Sequence, residues 1–129
     1  MVRLTFLGKA SENGESPTLY ATDRDSYVVQ GYTVTDEEVL ARLDIPGGEI
    51  VVEVYARLLE FLSEDGVSGA VTDRRPPIVR VRENGNYIIQ GPRLSDDAAR
   101  NRMAIPGHED AVEVPKAAIV ALLEGPACN

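Results

Sequence analysis

Short runs of apolar and β-branched residues alternate with polar turns along this chain, and the same order of runs occurs twice. In the first half, Thr18–Thr22 and Tyr27–Val34 flank the polar tetrapeptide Asp23-Arg-Asp-Ser, which predicts a β-hairpin. In the second half, Ile78–Arg82 and Tyr87–Gln90 flank an Asn-Gly pair, which favours a type I′ turn because both central residues need positive φ. The pattern therefore predicts two hairpins of similar design.

Each predicted hairpin is followed by a helix, a strand and a second helix. Thr35 and Glu38 have the spacing of a capping box, which predicts the start of a helix over Asp36–Leu43. Glu49–Val54 then alternates as a strand. Two further segments are predicted to be helical and to close each half: Ala56–Leu62 and Pro115–Leu123. The predicted order is β-β-α-β-α, twice. Outside it lie a predicted extra strand, a polar loop and a linker: Val2–Leu7, Lys9–Ser16 and Asp65–Pro77.

An internal repeat explains why the order recurs. When the chain is shifted by 60 positions, Pro17–Gly66 aligns without a gap with Pro77–Pro126, and 15 of the 50 positions are identical. The pentapeptide YVVQG at Tyr27 returns as YIIQG at Tyr87. A core of about 60 residues is only marginally stable alone, so the halves are expected to pack together. We predict an α+β fold of two tandem repeats, residues 1–66 and 67–129, with small antiparallel sheets packed together in pseudo-twofold fashion.

Composition and charge narrow the classes of function. A hydrophobic fraction of 43% with 26% charged residues is typical of a soluble globular protein. The net charge of −8 disfavours binding along nucleic acid, which needs a basic surface. Through Gly66 there are five basic and thirteen acidic residues, whereas the remainder has eight of each sign. The two halves are therefore expected to present different electrostatic surfaces.

The location predicted from the sequence is the cytoplasm. The apolar runs are far shorter than the roughly 20 residues of a membrane-spanning helix. The N-terminal residues lack the long apolar region of a signal peptide. Cys128 is the only cysteine, so no disulfide within the chain is expected.

The repeated polar residues have structural interpretations beside functional ones. Gln30 and Gln90 sit among apolar strand residues, and they either face solvent or form a paired polar position between the repeats. Gly31 and Gly91 are expected to mark a strand end with a bulge or bend. In the first helical turn, Asp36 would stabilise the positive end of the helix dipole.

No group of residues in the sequence identifies a reaction. Glu53 and Glu113 lie between valines and are expected to point into water. His108 is the only histidine, and beside two carboxylates it could be a metal ligand or a general base. One His is a poor zinc set, so the prediction is an exposed loop residue and a candidate for interaction with a partner. Phosphate loops, nucleophile elbows and paired Cys-x-x-Cys motifs do not occur. We predict no catalytic residues, no cofactor and no metal site.

The repeat unit also resembles known proteins. The stretch SPTLYATDRDSYVVQGYTVTDEEVLARLDIPGGEIVVEVYARLLEFL looks like small, single-copy actinobacterial proteins of unknown function. More distantly, its order of elements is similar to the family of small partner proteins that accompany helix-turn-helix regulators in those bacteria. The second resemblance implies a non-enzymatic protein that acts on a transcription regulator. No functional residue can be carried over from it.

Two hypotheses of function follow. The first is an interaction module that binds another protein, with the acidic segment Asp36, Glu37 and Glu38 facing a basic partner. The alternative is a cleft between the repeats that binds an anionic small molecule, either as a binding site or as the active site of an enzyme. Its candidate residues are second-half arginines: Arg80, Arg82, Arg93, Arg100 and Arg102. Self-association as a homodimer stays open as a third hypothesis.

Overall fold

A single, mostly antiparallel sheet with short helices forms the protein. The computed structural model describes residues 3–9, 17–67, 78–82, 85–103, 105, 107 and 109–123. Seven strands occur in this part of the chain: β1 (Leu4–Lys9), β2 (Thr18–Thr22), β3 (Ser26–Thr33), β4 (Glu49–Val54), β5 (Ile78–Val81), β6 (Tyr87–Pro92) and β7 (Glu109–Pro115). The helices are α1 (Glu37–Ala41), a 3₁₀ helix (Ala56–Asp65), α2 (Asp97–Met103) and α3 (Lys116–Val120). The predicted α+β class is confirmed.

The strands pair across the two halves of the chain. The order is β1-β2-β3-β4-β6-β5, and β7 pairs with β3. In the β3–β7 ladder Tyr27 lies opposite Val114, and in the β6–β4 ladder Tyr87 lies opposite Val54. The two registers therefore coincide when the chain is shifted by 60 positions. The prediction of two small sheets is wrong, because these ladders join both hairpins into one sheet.

Two further contacts close four of the strands into a ring. β3 pairs with β4 through Tyr32 opposite Glu53 and Thr33 opposite Val52. At the corresponding place β6 and β7 meet through one bridge. The position equivalent to Tyr32 is Pro92, which has no backbone N–H to donate to a ladder. This difference accounts for the shorter contact between β6 and β7.

The hydrophobic core is also shared between the halves. The central cluster includes Leu19, Val52, Ile89 and Val112, which belong to strands from both halves. Smaller clusters lie beneath the two helices that follow the hairpins. Beneath α1, Val39 packs with Val51 and with Ile88 of the other half. Beneath α2, Ala99 packs with Ala111 and with Val28 of the other half. Each helix thus depends on a strand from the opposite half for its burial.

Several predicted boundaries shift in the structure. The helix expected over Asp36–Leu43 is shorter, and Asp36 rather than Thr35 is its N-cap. The Asp36 carboxylate accepts hydrogen bonds from the backbone N–H groups of Glu38 and Val39 at 3.0 and 3.4 Å. Beyond it, the predicted helix over Ala56–Leu62 is a 3₁₀ helix that ends at Gly66. Strand β4 has the predicted bounds.

The two hairpins have a residue with positive φ at equivalent positions. Asp25 has a φ of 60° and Gly85, sixty positions later, has a φ of 88°. In the second turn the Arg82 and Asn86 backbones are joined by a hydrogen bond of 2.8 Å. Most of the predicted polar loop and of the linker, together with His108 and Cys128, lies outside the described residues.

Candidate functional site

Both repeated glutamines bond to a glutamate from the opposite half. Gln30 on β3 donates to Glu109 Oε1 at 3.0 Å, and both side chains are buried. Gln90 on β6 donates to Glu49 Oε1 at 2.9 Å and to the Asp44 carbonyl at 3.2 Å. The solvent-facing alternative is wrong for Gln30, which is only 4% exposed. A buried amide needs a hydrogen-bond partner, and the register of the β3–β7 ladder places Glu109 within reach of Gln30.

Glu113 on β7 anchors a polar cluster at the first hairpin turn. It accepts hydrogen bonds from Arg24 Nε at 2.7 Å and from the Ser26 hydroxyl. The expectation that Glu113 points into water is wrong, since its side chain is 20% exposed. Arg24 is the main cause that lowers the pKa of Glu113, although burial opposes it and the Ser26 hydrogen bond adds to it. A carboxylate held in its charged form is a poor proton donor at neutral pH, so this geometry does not favour general acid catalysis.

The equivalent carboxylate, Glu53 on β4, belongs to a similar cluster. It accepts a hydrogen bond of 2.8 Å from Asn86 Nδ2, and Arg82 Nε lies 3.6 Å from its other oxygen. Arg82 also donates to Asp36 Oδ2 at 3.1 Å. Glu53 is therefore half-buried and bonded, against the expectation that it points into water. Arg82 links the N-terminal end of α1 to β4.

Two other candidate arginines are bonded to one carboxylate. Arg93 Nε and Arg100 Nη1 each lie 2.9 Å from an oxygen of Asp110. Arg100 also donates to the Leu94 carbonyl at 2.9 Å. Burial alone would raise the pKa of Asp110, but hydrogen bonds from Arg93, from a backbone N–H and from Arg100 lower it. Each of these guanidinium groups has a carboxylate partner within the protein.

The candidate arginines are not gathered in one cleft. Arg82 pairs with Asp36 and Glu53 beside α1 and β4, whereas Arg93 and Arg100 both pair with Asp110 on β7. Arg102 is exposed on α2. Arg80 belongs to β5, but its side chain is outside the described part. This placement does not favour an anion held by all of these residues together.

The acidic residues on α1 have a different environment. Glu37 and Glu38 are exposed in its first turn, and Asp44 is exposed shortly after the helix ends. Among the ion pairs formed by the described residues, none includes these three carboxylates. The third member of the predicted acidic segment, Asp36, is occupied by its helix cap and by Arg82. The exposed negative charge on and just after α1 therefore belongs to Glu37, Glu38 and Asp44.

Sequence reasoning missed two polar arrangements. One is the Arg24 cluster, which borders an open pocket between the hairpin turn and β7. The other joins Asp65 to the Tyr27 hydroxyl at 2.7 Å and to Lys116 Nζ at 3.0 Å. The Tyr27 and Lys116 hydrogen bonds lower the pKa of Asp65 despite some burial. The only sequence signal was the recurrence of Tyr27 and of a glutamate between valines in both halves.

The lowered carboxyl pKa of Glu113 predicts a loss of stability in acid. A carboxyl with a lower pKa in the folded state stabilises the protein above its unfolded value, about 4.3 for Glu, and that contribution disappears as the pH falls through the folded value. We expect Glu113→Gln to be less stable than the unsubstituted protein at pH 7, with the gap narrowing steadily below about pH 4. Urea unfolding from pH 7 to pH 2.5 measures this gap, with Glu60→Gln as the control for loss of an exposed carboxylate. A gap that stays constant over this range would contradict the assignment.

Comparisons with protein-family models, with curated proteins and with solved structures find no match to this chain. Within the described residues, no cluster of three or more His, Cys, Asp and Glu side chains is suited to hold a metal ion. None of the helices in the described part combines the length and apolar character needed to cross a membrane.

Proposed function

We propose that this protein is a non-enzymatic interaction module that binds another protein through the acidic surface of α1. The observation that carries the proposal is the contrast in charge pairing between the halves. Glu37, Glu38 and Asp44 are exposed and outside the ion pairs of the described residues, whereas Arg93 and Arg100 are bonded to Asp110. Exposed carboxylates attract a basic partner surface and increase the rate of encounter.

The proposed scaffold is a tandem duplication with pseudo-twofold symmetry. Support comes from the common register of the β3–β7 and β6–β4 ladders at an offset of 60 residues. Further support comes from Gln30 and Gln90, whose glutamate partners are also 60 residues apart. In such a scaffold α1 and α2 occupy equivalent places with different charges. Only one of the two equivalent helices then presents a strongly acidic surface.

The resemblance to partner proteins of helix-turn-helix regulators suggests the kind of partner. A DNA-binding regulator has a basic surface because it neutralises phosphates. An acidic surface on this protein would compete with DNA for that surface. We therefore propose a regulator of this type as the partner, located with this protein in the cytoplasm.

The partner is expected to be captured through α1 and released by salt. We expect tagged protein to retain a stoichiometric protein from a lysate of the native host at low ionic strength. Glu37→Lys/Glu38→Lys is expected to reduce retention about tenfold or more, because it reverses the sign of the surface. Mass spectrometry of the retained material gives the identity and amount. Raising the salt to about 0.5 M should release the partner from the unsubstituted protein, since exposed charges are then screened within a few ångströms.

A matched control separates the surface from net charge. Glu60 and Glu64 are exposed on the 3₁₀ helix, so Glu60→Lys/Glu64→Lys makes the same change in charge elsewhere. We expect this variant to keep its partner. Equal retention by the unsubstituted protein and by Glu37→Lys/Glu38→Lys would refute the proposal, provided that circular dichroism shows both to be folded. Equal loss in both double variants would refute the assignment to α1.

A further inference from the structure

A small open pocket lies at the junction of the two halves. Its volume is about 240 Å³, below the roughly 300–1,000 Å³ of pockets for drug-sized ligands. The residues that line it come in equal number from each half: Arg24, Asp25, Ser26, Pro92, Glu113 and Pro115. The size suits a small metabolite. The lining combines a guanidinium, carboxylates and a hydroxyl with two apolar proline rings.

The Arg24 guanidinium is held in place with one edge unoccupied by Glu113. Its Nε and Nη2 both donate to the Glu113 carboxylate. A guanidinium carries five N–H donors in a planar fork, so the Nη1 edge stays directed away from Glu113. The Arg24 side chain is 54% exposed. A guanidinium fixed by a carboxylate on one edge is pre-organised to bind a second carboxylate on the other, since little side-chain freedom remains to be lost.

Asp25 adds a negative group to the pocket at a cost in backbone energy. It has a φ of 60°, and the equivalent position in the other turn is occupied by Gly85. Its carbonyl accepts a hydrogen bond of 3.0 Å from the Lys116 backbone N–H, which fixes the turn against α3. Glycine adopts a left-handed conformation more readily than any other residue, so an aspartate here is less stable than a glycine.

The charges of the pocket favour a ligand that carries both signs. Asp25 and Glu113 line it beside one guanidinium. Asp96 is near enough for its charge to act on both Arg24 and Glu113. A simple anion would be repelled by these carboxylates, and a simple cation would leave the outer edge of the Arg24 guanidinium without an anionic partner. A zwitterion satisfies both.

We propose that this pocket binds a free amino acid with an apolar side chain. The carboxylate of the ligand binds the outer edge of the Arg24 guanidinium, and its ammonium group binds Asp25. The apolar side chain packs against Pro92 and Pro115. None of the residues that line this site belongs to the acidic surface of α1, so the inference does not depend on the proposed partner.

The test uses the full-length protein and three related probes. L-leucine has both charged groups, L-leucinamide lacks the carboxylate, and N-acetyl-L-leucine lacks the ammonium group. We expect L-leucine to cause saturable shifts in the amide resonances of Arg24, Asp25 and Ser26 in a ¹H–¹⁵N titration. Each of the other probes should bind about tenfold more weakly or worse, since each loses one charged hydrogen-bonding group.

Variants of Arg24 and Asp25 test which residue binds each charged group of the ligand. Arg24→Gln and Asp25→Asn are each expected to weaken L-leucine binding about tenfold or more. Arg57→Gln and Glu60→Gln change exposed charges outside the pocket and should leave binding unchanged. Asp25→Gly should abolish binding while the midpoint of urea unfolding stays equal or rises, because the turn is relieved of strain. This last variant distinguishes loss of the site from loss of the fold.

Three results would overturn the inference. One is the absence of saturable shifts with L-leucine at millimolar concentration. A second is equal affinity for all three probes. The third is an unchanged affinity in Asp25→Asn. None of these results bears on capture of a partner by α1, so the two proposals fail separately.

Discussion

Gly31→Ala is expected to destabilise the protein by about 2–3 kcal/mol, the cost of forcing extra atoms into a packed site. A Cβ at Gly31 on β3 would lie 2.7 Å from the Glu53 carbonyl oxygen and 2.7 Å from Val54 Cγ1. The carbonyl belongs to the backbone of β4 and cannot rotate away. The strands must therefore separate at the point where the ring of four strands closes. Urea unfolding followed by circular dichroism measures the change in the free energy of unfolding.

The equivalent glycine gives a graded comparison. At Gly91 a Cβ would lie 3.0 Å from Val114 Cγ1 and 3.2 Å from the Glu113 carbonyl oxygen. The contacts are equivalent but less close, so Gly91→Ala should destabilise by about 1–2 kcal/mol. Gly47→Ala is the control, because a Cβ there meets nothing within 4 Å. A loss at Gly31 no larger than that at Gly47 would show that β3 and β4 do not approach so closely.

Gln30→Leu is expected to destabilise by about 2–3 kcal/mol, whereas Gln90→Leu should cost under about 1 kcal/mol. The reason is the difference in burial of the two equivalent bonds. Gln30 and Glu109 are both only 4% exposed, so a carboxylate oxygen inside the protein loses its amide donor. Gln90 and Glu49 are half-buried, and water can replace the lost bond. Urea unfolding of both variants at pH 7 measures the two losses.

A second substitution at the same site should give a stability loss with a pH dependence that a general packing defect would not have. Gln30→Glu places a carboxyl within hydrogen-bonding distance of the buried Glu109 carboxylate. Two carboxylates this close repel each other, and protonation of one of them relieves the repulsion. The loss caused by Gln30→Glu should therefore shrink as the pH falls from 7 to 5, and it should shrink by more than the loss caused by Gln30→Leu, in which Glu109 loses the amide donor but meets no second negative charge. Equal losses for Gln30→Leu and Gln90→Leu would contradict the buried contact with Glu109.

The local elements could be predicted from the sequence because their signals are local. The residues of Glu49–Val54 alternate in character, and the strand has those bounds. The polar tetrapeptide after Thr22 predicts the first hairpin, and β2 and β3 flank it. Turn chemistry and side-chain period act over a few residues, and they are visible in a short window of sequence.

The pairing of β3 with β7 and of β4 with β6 could not be predicted. Periodicity shows which face of a strand is buried, but it does not show which strand lies beside it. For the same reason Glu113 was expected in water. An isolated strand would expose it, whereas beside β3 it meets Arg24 and Ser26. Gly31 was expected at a strand end, yet it lies within β3 where β4 approaches closely. Each difference follows from the neighbouring strand and not from the local sequence.

The pairing of strands across the halves underlies both proposed sites. The pocket is lined by Ser26 from one half and Glu113 from the other. The acidic helix α1 packs through Val39 on Ile88 of β6. If the halves did not interleave, neither the pocket nor the position of α1 would exist as described.

Native-state amide hydrogen exchange tests this pairing most directly. The β3–β7 ladder and the β4–β6 ladder each contain residues from both halves. Neither half can unfold alone without breaking both ladders, so their most protected amides should exchange with the same free energy, equal to that of global unfolding. A ladder that exchanges through a separate, lower-energy opening while the other stays protected would contradict the interleaved fold.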